Sequence, residues 1–404
     1  MSNQNYAQKR KFKKVISGHK PDSFLLTFSV LMAIFGAIMI FDASVYQANT
    51  VFNDQFYFLK SQAVWLLVGT IPAVIVYFWD YRKILKLAFP ALIITILLLA
   101  AVLILGEATN GSKRWFAIGS LPKIQPAEFA KLTLIMYLAQ WLAKRDYKYK
   151  DFKSAIREGF IKNLLGFIVI LGIVALLVLL EPDLGTTMVV CITCFIMFLM
   201  AGEDKIHTWA SFAVLLLLIP VAGIAAILEP YRLQRVTTFL SLLFTGNVAD
   251  PQGSGYQMQQ ILIGIGAGGF FGTGFGQSRQ RFGYLVENTA FTDSIFAVIL
   301  EELGFLGGTL IIIAWISFLW RGLKIALGAP DKQGKLLAAG ITVWLVIQTL
   351  LNISANVGIV PLTGMPIPLL SYGGSSTIVS LIGIGILLNI SKYSNTQNGQ
   401  KAVK

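Results

Sequence analysis

Charge is scarce in this chain of 404 residues. Asp, Glu, Lys and Arg together make up 13% of it, whereas about a quarter of the residues of a soluble protein are charged. The chain also has only two histidines and two cysteines. The low charge excludes a soluble globular domain. Cys191 and Cys194 lie within one apolar run without a nearby histidine, so we interpret them as packing residues rather than as a metal or redox pair.

Hydrophobic residues take the place of the missing charge, at 55% of the chain with a mean hydropathy of +0.70. Runs of about 20 apolar residues, long enough to cross a bilayer, recur along nearly the whole sequence. Each run has to be helical, because backbone polar groups in lipid must be satisfied within the segment. The sequence therefore predicts an all-α integral membrane protein with about ten transmembrane helices, near 23–44, 56–79, 84–105, 125–143, 163–180, 184–201, 207–228, 294–320, 335–356 and 374–391.

Basic residues predict the orientation of these helices. The net charge is +13, and most of the 33 Lys and Arg fall in the tails and in connections that share one side of the membrane. The positive-inside rule then places both termini in the cytosol. We attribute the basic excess to topology and to anionic lipid, and we predict no binding of nucleic acid. The predicted regions are a cytosolic basic tail over 1–22, a ten-helix membrane domain over 23–391 and a cytosolic tail over 392–404.

One long polar, glycine-rich loop, 229–293, is predicted on the extracytoplasmic side between the seventh and eighth helices. It contains Arg232, Arg235 and Gln257 and ends at Asp293, where the next apolar run begins. Its glycine repeats do not form a nucleotide-binding fingerprint, because no strand–helix–strand unit surrounds them. They fit backbone that approaches a substrate or the membrane surface closely.

Asp293 is the main candidate for acid–base chemistry at the outer face. Both histidines, His19 and His207, fall on the predicted cytosolic side, so an outer general base has to be a carboxylate. A glycosidase-like pair with Glu301 or Glu302 fails, because eight helical residues rise about 12 Å and such pairs stand about 5–9.5 Å apart. For these two glutamates we predict Lys or Arg partners from other spans. The structural alternative for Asp293 is a cap at a helix N-terminus.

Two further charged pairs at this face each have two interpretations. Glu128 and Lys131 lie three residues apart on one helix face. They either form an internal ion pair or line a polar cavity that receives an anionic head group. Lys113 and Arg114 either hold phosphate oxygens or anchor their loop, beside Trp115, at the membrane interface.

Two turn-rich segments complete the predicted outer face. Asp183 shares the hairpin between the fifth and sixth helices with Glu181, and it either serves the turn, pairs with Lys131 or holds a divalent cation. The last outer segment, 357–373, carries several prolines and glycines and cannot continue as a helix. Such broken backbone is tolerated at membrane depth only where it lines a cavity or is buried in protein. This segment and its hydroxyl groups therefore predict a functional cavity.

Together these segments resemble the SEDS family (shape, elongation, division and sporulation), the FtsW/RodA/SpoVE-type peptidoglycan polymerases. The motifs follow the family order along most of the chain, and 276–280 is slightly more similar to the division-type FtsW branch. The stretch 285–292 lacks the Pro and the His that the family usually has before its aspartate. The motifs are Lys113-Arg114-Trp115, Gln125-Pro126-Ala127-Glu128 with Lys131, Pro182-Asp183-Leu184-Gly185-Thr186, Tyr231-Arg232 with Arg235, Gly274-Phe275-Gly276-Gln277-Ser278, Asp293-Ser294-Ile295-Phe296-Ala297 with Glu301-Glu302-Leu303-Gly304, and Pro366-Ile367-Pro368 with Ser371-Tyr372-Gly373-Gly374-Ser375-Ser376.

The resemblance implies an enzyme that polymerises lipid II into β-1,4 glycan strands at the outer face of the bacterial cytoplasmic membrane. This activity would serve cell division or cell-shape elongation. Asp293 matches the family's catalytic aspartate, with the implied role of general base on the sugar 4-hydroxyl. The implied partners are a class B penicillin-binding protein transpeptidase and other divisome or elongasome proteins. The alternatives are a lipid II flippase that uses the charged spans, and a non-catalytic scaffold for a penicillin-binding protein.

We assign the binding of lipid II and of the polyprenyl-pyrophosphate-linked glycan to polar residues of the matching motifs. Among these, the Lys and Arg side chains would stabilise the departing pyrophosphate. No metal ligand and no cofactor are assigned, and a divalent cation, Mg²⁺ or Mn²⁺, is a candidate for additional positive charge beside these side chains. The predicted substrate-binding residues are Lys113, Arg114, Glu128, Lys131, Asp183, Arg232, Arg235, Gln257, Ser371, Tyr372 and Ser375.

Overall fold

The computed structural model describes residues 20–109, 112–117, 123–145, 160–202, 206–209, 211–213, 216, 223, 230–282 and 289–401. Within these ranges the chain forms twelve α-helices and one two-stranded antiparallel hairpin. The elements in chain order are α1 (Ser23–Phe52), α2 (Tyr57–Phe78), α3 (Tyr81–Lys86), α4 (Ala88–Leu105), β1 (Glu107–Thr109), β2 (Ser112–Trp115), α5 (Pro126–Ala143), α6 (Phe160–Leu180), α7 (Leu184–Ala201), α8 (Pro230–Thr245), α9 (Tyr256–Gly268), α10 (Ile295–Leu327), α11 (Lys332–Asn356) and α12 (Gly374–Lys401).

Eight of the described helices are long and apolar enough to cross a membrane: α1, α2, α4, α6, α7, α10, α11 and α12. This confirms the predicted class, an all-α integral membrane protein. The predicted fourth span is present as α5, which is less apolar because it carries Glu128 and Lys131. Most of the predicted seventh span, 207–228, lies outside the described residues. The count of ten and the cytosolic location of both termini therefore stay predictions.

The bundle is built around α11. In its most apolar window 83% of the residues are buried, whereas the corresponding share is 11% for α2, whose side chains face outward. Helices α5, α7, α10 and α12 all pack against α11. The packing is close: a methyl group built on Gly340 would lie 2.6 Å from the Met197 sulfur and 2.8 Å from Ile135 Cγ2. Small residues allow such close contact between helices in a membrane, where packing replaces the hydrophobic effect.

The predicted loop 229–293 is helical over much of its described length. It contains α8, α9 and a 3₁₀ turn at Gln280–Phe282. Helix α8 is absent from the sequence prediction, although its apolar residues recur at helical spacing among polar ones. These residues are Leu233, Val236, Leu240, Leu243 and Phe244.

A kink in α10 at Gly304 lets the segment 269–274, which follows α9, pack against α10. Gly304 has φ 68° and ψ −170°, a conformation that favours glycine, and a methyl group there would lie 2.3 Å from Gly272 N. The backbone groups freed by the kink are satisfied by the facing segment 269–274. Thr273 N donates to Glu301 O (2.9 Å) and Phe305 N donates to Gly269 O (2.9 Å). A kink at membrane depth needs such substitute partners.

Candidate active site

Asp293 lies in the turn that precedes α10. The Thr292 hydroxyl donates to Asp293 Oδ1 (2.9 Å), and the carboxyl group is half-buried. Ser294, rather than Asp293, occupies the N-cap position of α10, so the prediction of a structural cap is wrong. The carboxyl group of Asp293 therefore does not cap α10.

Arg235 and Gln257 approach Asp293 from α8 and α9. A methyl group built on Gly364 would lie 3.4 Å from Arg235 Nη1 and 3.8 Å from Asp293 Oδ2, so this glycine stands between the guanidinium and the carboxyl group. Gly364 has φ +70°, which a larger residue adopts only with strain. Burial raises the pKa of Asp293, while the charge of Arg235 and hydrogen bonds from Thr292 and Gln257 oppose the rise. A raised pKa makes the carboxylate a stronger base.

Two arginines from distant segments meet at the C-terminal end of α6. Arg114, on β2, donates from Nε to Glu181 O (2.7 Å) and from Nη2 to Pro182 O (2.5 Å). Arg232, on α8, donates to Leu179 O. Cations at a helix C-terminus satisfy its last carbonyl groups and its dipole. These contacts bring two of the predicted phosphate ligands together and tie β2 and α8 to the α6–α7 hairpin.

Glu181 is a buried carboxyl group in this hairpin. Among the described residues neither of its carboxyl oxygens has a hydrogen-bond partner. Burial raises its pKa to about 9, the negative charge of Asp183 adds to the rise, and Arg114 opposes it. Glu181 is therefore neutral at neutral pH and does not cancel the positive charge of Arg114 and Arg232.

Glu181→Gln is expected to stabilise the protein, and more so as pH rises. The unfolded pKa of Glu is about 4.3, so above that pH the unfolded chain releases a proton that the folded chain, with a pKa of about 9, retains. Wild-type stability therefore falls between these two pKa values, whereas the Gln variant has no such proton. The gain should grow by on the order of 2 kcal/mol from pH 5 to pH 7. Thermal unfolding in detergent at both pH values measures it, and an equal gain at both contradicts the assignment.

Asp183 caps the N-terminus of α7. It accepts hydrogen bonds from Thr186 N (2.9 Å), Thr186 Oγ1 (2.9 Å) and Gln125 Nε2 (3.3 Å). The predicted alternative of a pair with Lys131 is wrong, because the Lys131 ammonium group bonds elsewhere. Gln125 also donates from its backbone N to Ser375 Oγ (3.0 Å). Asp183 and Ser375 are thus joined through Gln125.

Glu128 and Lys131 form the predicted ion pair, with 2.7 Å between Nζ and Oε1. Each is only 2% exposed, which favours the internal pair over the cavity lining. Lys131 Nζ also donates to Gln348 Oε1 (2.7 Å) on α11, and Gln348 donates in turn to Pro366 O (2.8 Å). The pair is therefore connected to the segment that carries Gly364.

The segment 357–373 is non-helical, as predicted. Its hydroxyl residues shape the segment itself. Ser371 Oγ accepts from Ile367 N (2.8 Å), and Tyr372 N donates to Phe291 O (2.9 Å). Lys113 is exposed and donates to Ile104 O (3.2 Å). None of these contacts reaches the carboxyl group of Asp293. Of the predicted substrate-binding residues, the two described above as lying at that carboxyl group are Arg235 and Gln257.

Glu301 and Glu302 have partners other than the predicted Lys and Arg side chains. Ser278 Oγ donates to Glu301 Oε2 (2.6 Å), and Ser278 N donates to Glu302 Oε1 (3.0 Å). Arg279 contributes its backbone N, 3.1 Å from Glu301 Oε1, rather than its side chain. The prediction is wrong because the glycine-rich turn before them brings backbone N–H groups within reach.

The polar residues of α11 are not among the predicted substrate-binding residues. Gln348, Asn352 and Asn356 recur every fourth position, so they share one face of the helix. Asn352 Nδ2 donates to Asp293 O (2.7 Å) and Met365 O (2.6 Å), and Asn356 Nδ2 donates to Asp293 O (2.9 Å). Three amides at helical spacing in an apolar run were the available signal.

A resident metal ion does not fit the donor set. Across the described residues, His, Cys, Asp and Glu side chains form no group of three or more that could hold one. Asp183, a predicted cation ligand, has both carboxyl oxygens bonded to Thr186 and Gln125. The proposed reaction therefore includes no metal.

The stretch 285–292, where the sequence departs from the family pattern, is described only in part. The segment 283–288 lies outside the described residues.

Comparisons with known proteins agree with this architecture. The family model for cell cycle proteins of the FtsW/RodA/SpoVE type matches residues 22–396. Stage V sporulation protein E of Bacillus subtilis (strain 168) is 40% identical over 384 residues, which cover 93% of this chain and 98% of that protein. The probable peptidoglycan glycosyltransferase FtsW of Trichlorobacter lovleyi is 37% identical over 372 residues, 92% of this chain and 93% of its own.

Solved structures are similar over the same length. One chain, from a study of how a peptidoglycan synthase complex coordinates polymerization and crosslinking, has a TM-score of 0.73 and 29% identity, covering 93% of this chain and 98% of that chain. The rod shape determining protein RodA of Thermus thermophilus has a TM-score of 0.62 and 26% identity, covering 92% and 96%. The higher identity to the FtsW relative agrees with the predicted similarity to that branch.

Proposed function

This chain belongs to the FtsW/RodA/SpoVE family and is a multi-pass peptidoglycan glycosyltransferase of the cytoplasmic membrane, and we propose that it polymerises lipid II with Asp293 as general base. The observation that carries the proposal is the pairing of Asp293, whose pKa is raised by burial, with Arg235 across Gly364. Among the described residues, a base and a cation stand together there without a second carboxylate beside them. This arrangement suits a displacement whose leaving group is an anion.

The proposed reaction is a single inverting displacement. The Asp293 carboxylate takes the proton from the 4-hydroxyl of the acceptor sugar, and that oxygen attacks the anomeric carbon of the donor. The bond from that carbon to the polyprenyl pyrophosphate breaks, and the pyrophosphate leaves with the electron pair. An α-linked donor thus gives a β-1,4 bond. Arg235, with Arg114 and Arg232 at the end of α6, stabilises the charge on the pyrophosphate.

The partner of this enzyme is proposed to be a class B penicillin-binding protein transpeptidase. Support comes from the similarity to a chain of a peptidoglycan synthase complex. A transpeptidase would crosslink the glycan strands that this chain makes. The FtsW and sporulation names of the relatives favour a role in division over elongation.

A lipid II flippase is the main alternative, and its proposed charged pathway is divided. Lys131 bonds to Glu128 and to Gln348. Glu301 and Glu302 bond instead to the turn at 278–279. The two charged pairs therefore belong to separate hydrogen-bond networks.

Purified chain incubated with lipid II in detergent, and in liposomes, tests the proposal. The expected result is glycan strands of many repeats, formed without the partner's catalytic activity. Transfer of lipid II head groups across the liposome membrane without strands would support the flippase instead. If strands appear only when a catalytically competent partner polymerase is present, this chain is a scaffold and the proposal is overturned.

A further inference from the structure

The amide face of α11 is buried in the most enclosed part of the bundle. Gln348, Asn352 and Asn356 are 0%, 1% and 2% exposed. Buried amides are costly unless they are hydrogen-bonded, so each one here has to hold a particular partner. Both asparagines donate to main-chain carbonyl groups outside the helix, and Asn356 Nδ2 also lies 3.0 Å from Asn352 O within it.

Both asparagines converge on one atom of the proposed active site. Asn352 Nδ2 and Asn356 Nδ2 lie 2.7 Å and 2.9 Å from the carbonyl oxygen of Asp293. Asn356 Nδ2 also lies 3.1 Å from Asn352 Oδ1, so the two amides hold each other. The main-chain carbonyl of Asp293 is therefore held by two donors from a neighbouring helix.

Asn352 also connects this carbonyl to the opposite wall of the site. The same amide lies 2.6 Å from Met365 O, the residue after Gly364. In the same segment Leu362 O accepts from Arg235 Nη1 (2.7 Å). One amide thus links the turn that carries the base to the segment that holds the cation.

We propose that Asn352 and Asn356 are positioning residues for glycosyl transfer, which set the carboxylate of Asp293 relative to Arg235 through its main-chain carbonyl. The inference rests on the proposed role of Asp293 as general base. An aspartate has a short side chain with two rotatable bonds, so its carboxylate follows its backbone closely. A small displacement of a reacting group is enough to cost a large part of the rate.

Asn352→Leu and Asn356→Leu test the proposal because Leu has the same branched side-chain skeleton as Asn and removes the donor. We expect kcat for lipid II polymerisation to fall by about 100-fold with KM within about threefold of wild type. The acidic limb of the pH–rate profile should move to lower pH, because a displaced Asp293 carboxyl group gains water and loses the burial that raises its pKa. A variant that merely contains less folded protein would lose rate without moving this limb.

Thr349→Val is the matched control on α11. Thr349 is fully buried, and within the described part of the chain its hydroxyl bonds only to Leu345 O of its own helix (2.9 Å), so the variant should keep the wild-type rate and pH profile. Asn352→Ala and Asn356→Ala remove the donor without the added bulk of Leu and provide folded protein if the Leu variants do not fold. They should show the same loss of kcat.

The outcome separates this inference from the proposed function. If Asp293→Asn is inactive but the Asn352 and Asn356 variants polymerise at the wild-type rate, only the positioning role is overturned. An unmoved acidic limb with a lower rate also overturns it. If Asp293→Asn itself polymerises normally, the proposed function fails first.

Discussion

Asp293→Asn is expected to lower the rate of lipid II polymerisation by about 10²–10⁴-fold, the usual contribution of a general base. Asn has the same shape, and its Oδ1 still accepts the hydrogen bond that Thr292 donates to Asp293 Oδ1. The fold and the binding of lipid II should therefore be unchanged, and the loss should appear in kcat. Strand length and yield from radiolabelled lipid II, with KM measured in parallel, provide the test.

Asp250→Asn is the control for this variant. Asp250 is an exposed carboxylate of the same predicted outer region, and it bonds locally to Ser254 N (2.8 Å). Its replacement should leave the rate unchanged. If Asp293→Asn polymerises lipid II at the wild-type rate, Asp293 is not the general base.

The pH profile gives the same assignment an independent check. Burial raises the pKa of Asp293 and Arg235 opposes that rise. The base is active only when ionised, so the wild-type rate should increase with pH through this pKa. Arg235→Met removes the opposing charge, and its acidic limb should therefore lie at higher pH than that of wild type. A shift to lower pH would contradict the assigned contact.

The sequence predicts the helical framework well because the membrane leaves the backbone few choices. An apolar run of about 20 residues must form a helix in lipid, and eight such helices are present in the described parts of the chain. The ion pair of Glu128 and Lys131 follows from their spacing on one turn. The assignment of Asp293 as general base follows from the predicted cytosolic location of the two histidines and from the family resemblance.

The remaining contacts join residues that are far apart in sequence. Arg114 and Arg232 meet at the end of α6, 67 and 53 residues from the carbonyls of Glu181 and Leu179. Asn356 reaches Asp293 O across 63 residues. No local pattern specifies such pairs, because they depend on how the helices pack. The same reasoning failed for Glu301 and Glu302, whose partners are the backbone N–H groups of Ser278 and Arg279 and the Ser278 hydroxyl, which no local pattern in the sequence identifies.

Lys131→Met is expected to destabilise the protein by about 3–5 kcal/mol, the usual cost of breaking a buried ion pair. The variant leaves the Glu128 carboxylate buried without its cation and removes one donor from Gln348. Gln348 keeps the hydrogen bond from Trp344 Nε1 (2.9 Å), so the damage should centre on Glu128. The midpoint of thermal unfolding in detergent and the yield of monodisperse protein measure the effect.

The double variant Glu128→Leu with Lys131→Met decides between the two roles predicted for this pair. Replacing both buried charges by apolar residues is often neutral or stabilising, so stability should return. Because both side chains are only 2% exposed, we expect the double variant to polymerise lipid II within about tenfold of wild type. If stability returns but polymerisation does not, Lys131 binds the anionic head group and the internal-pair interpretation is wrong. If stability stays low in the double variant, the loss in Lys131→Met does not come from the unpaired carboxylate, and the electrostatic explanation fails.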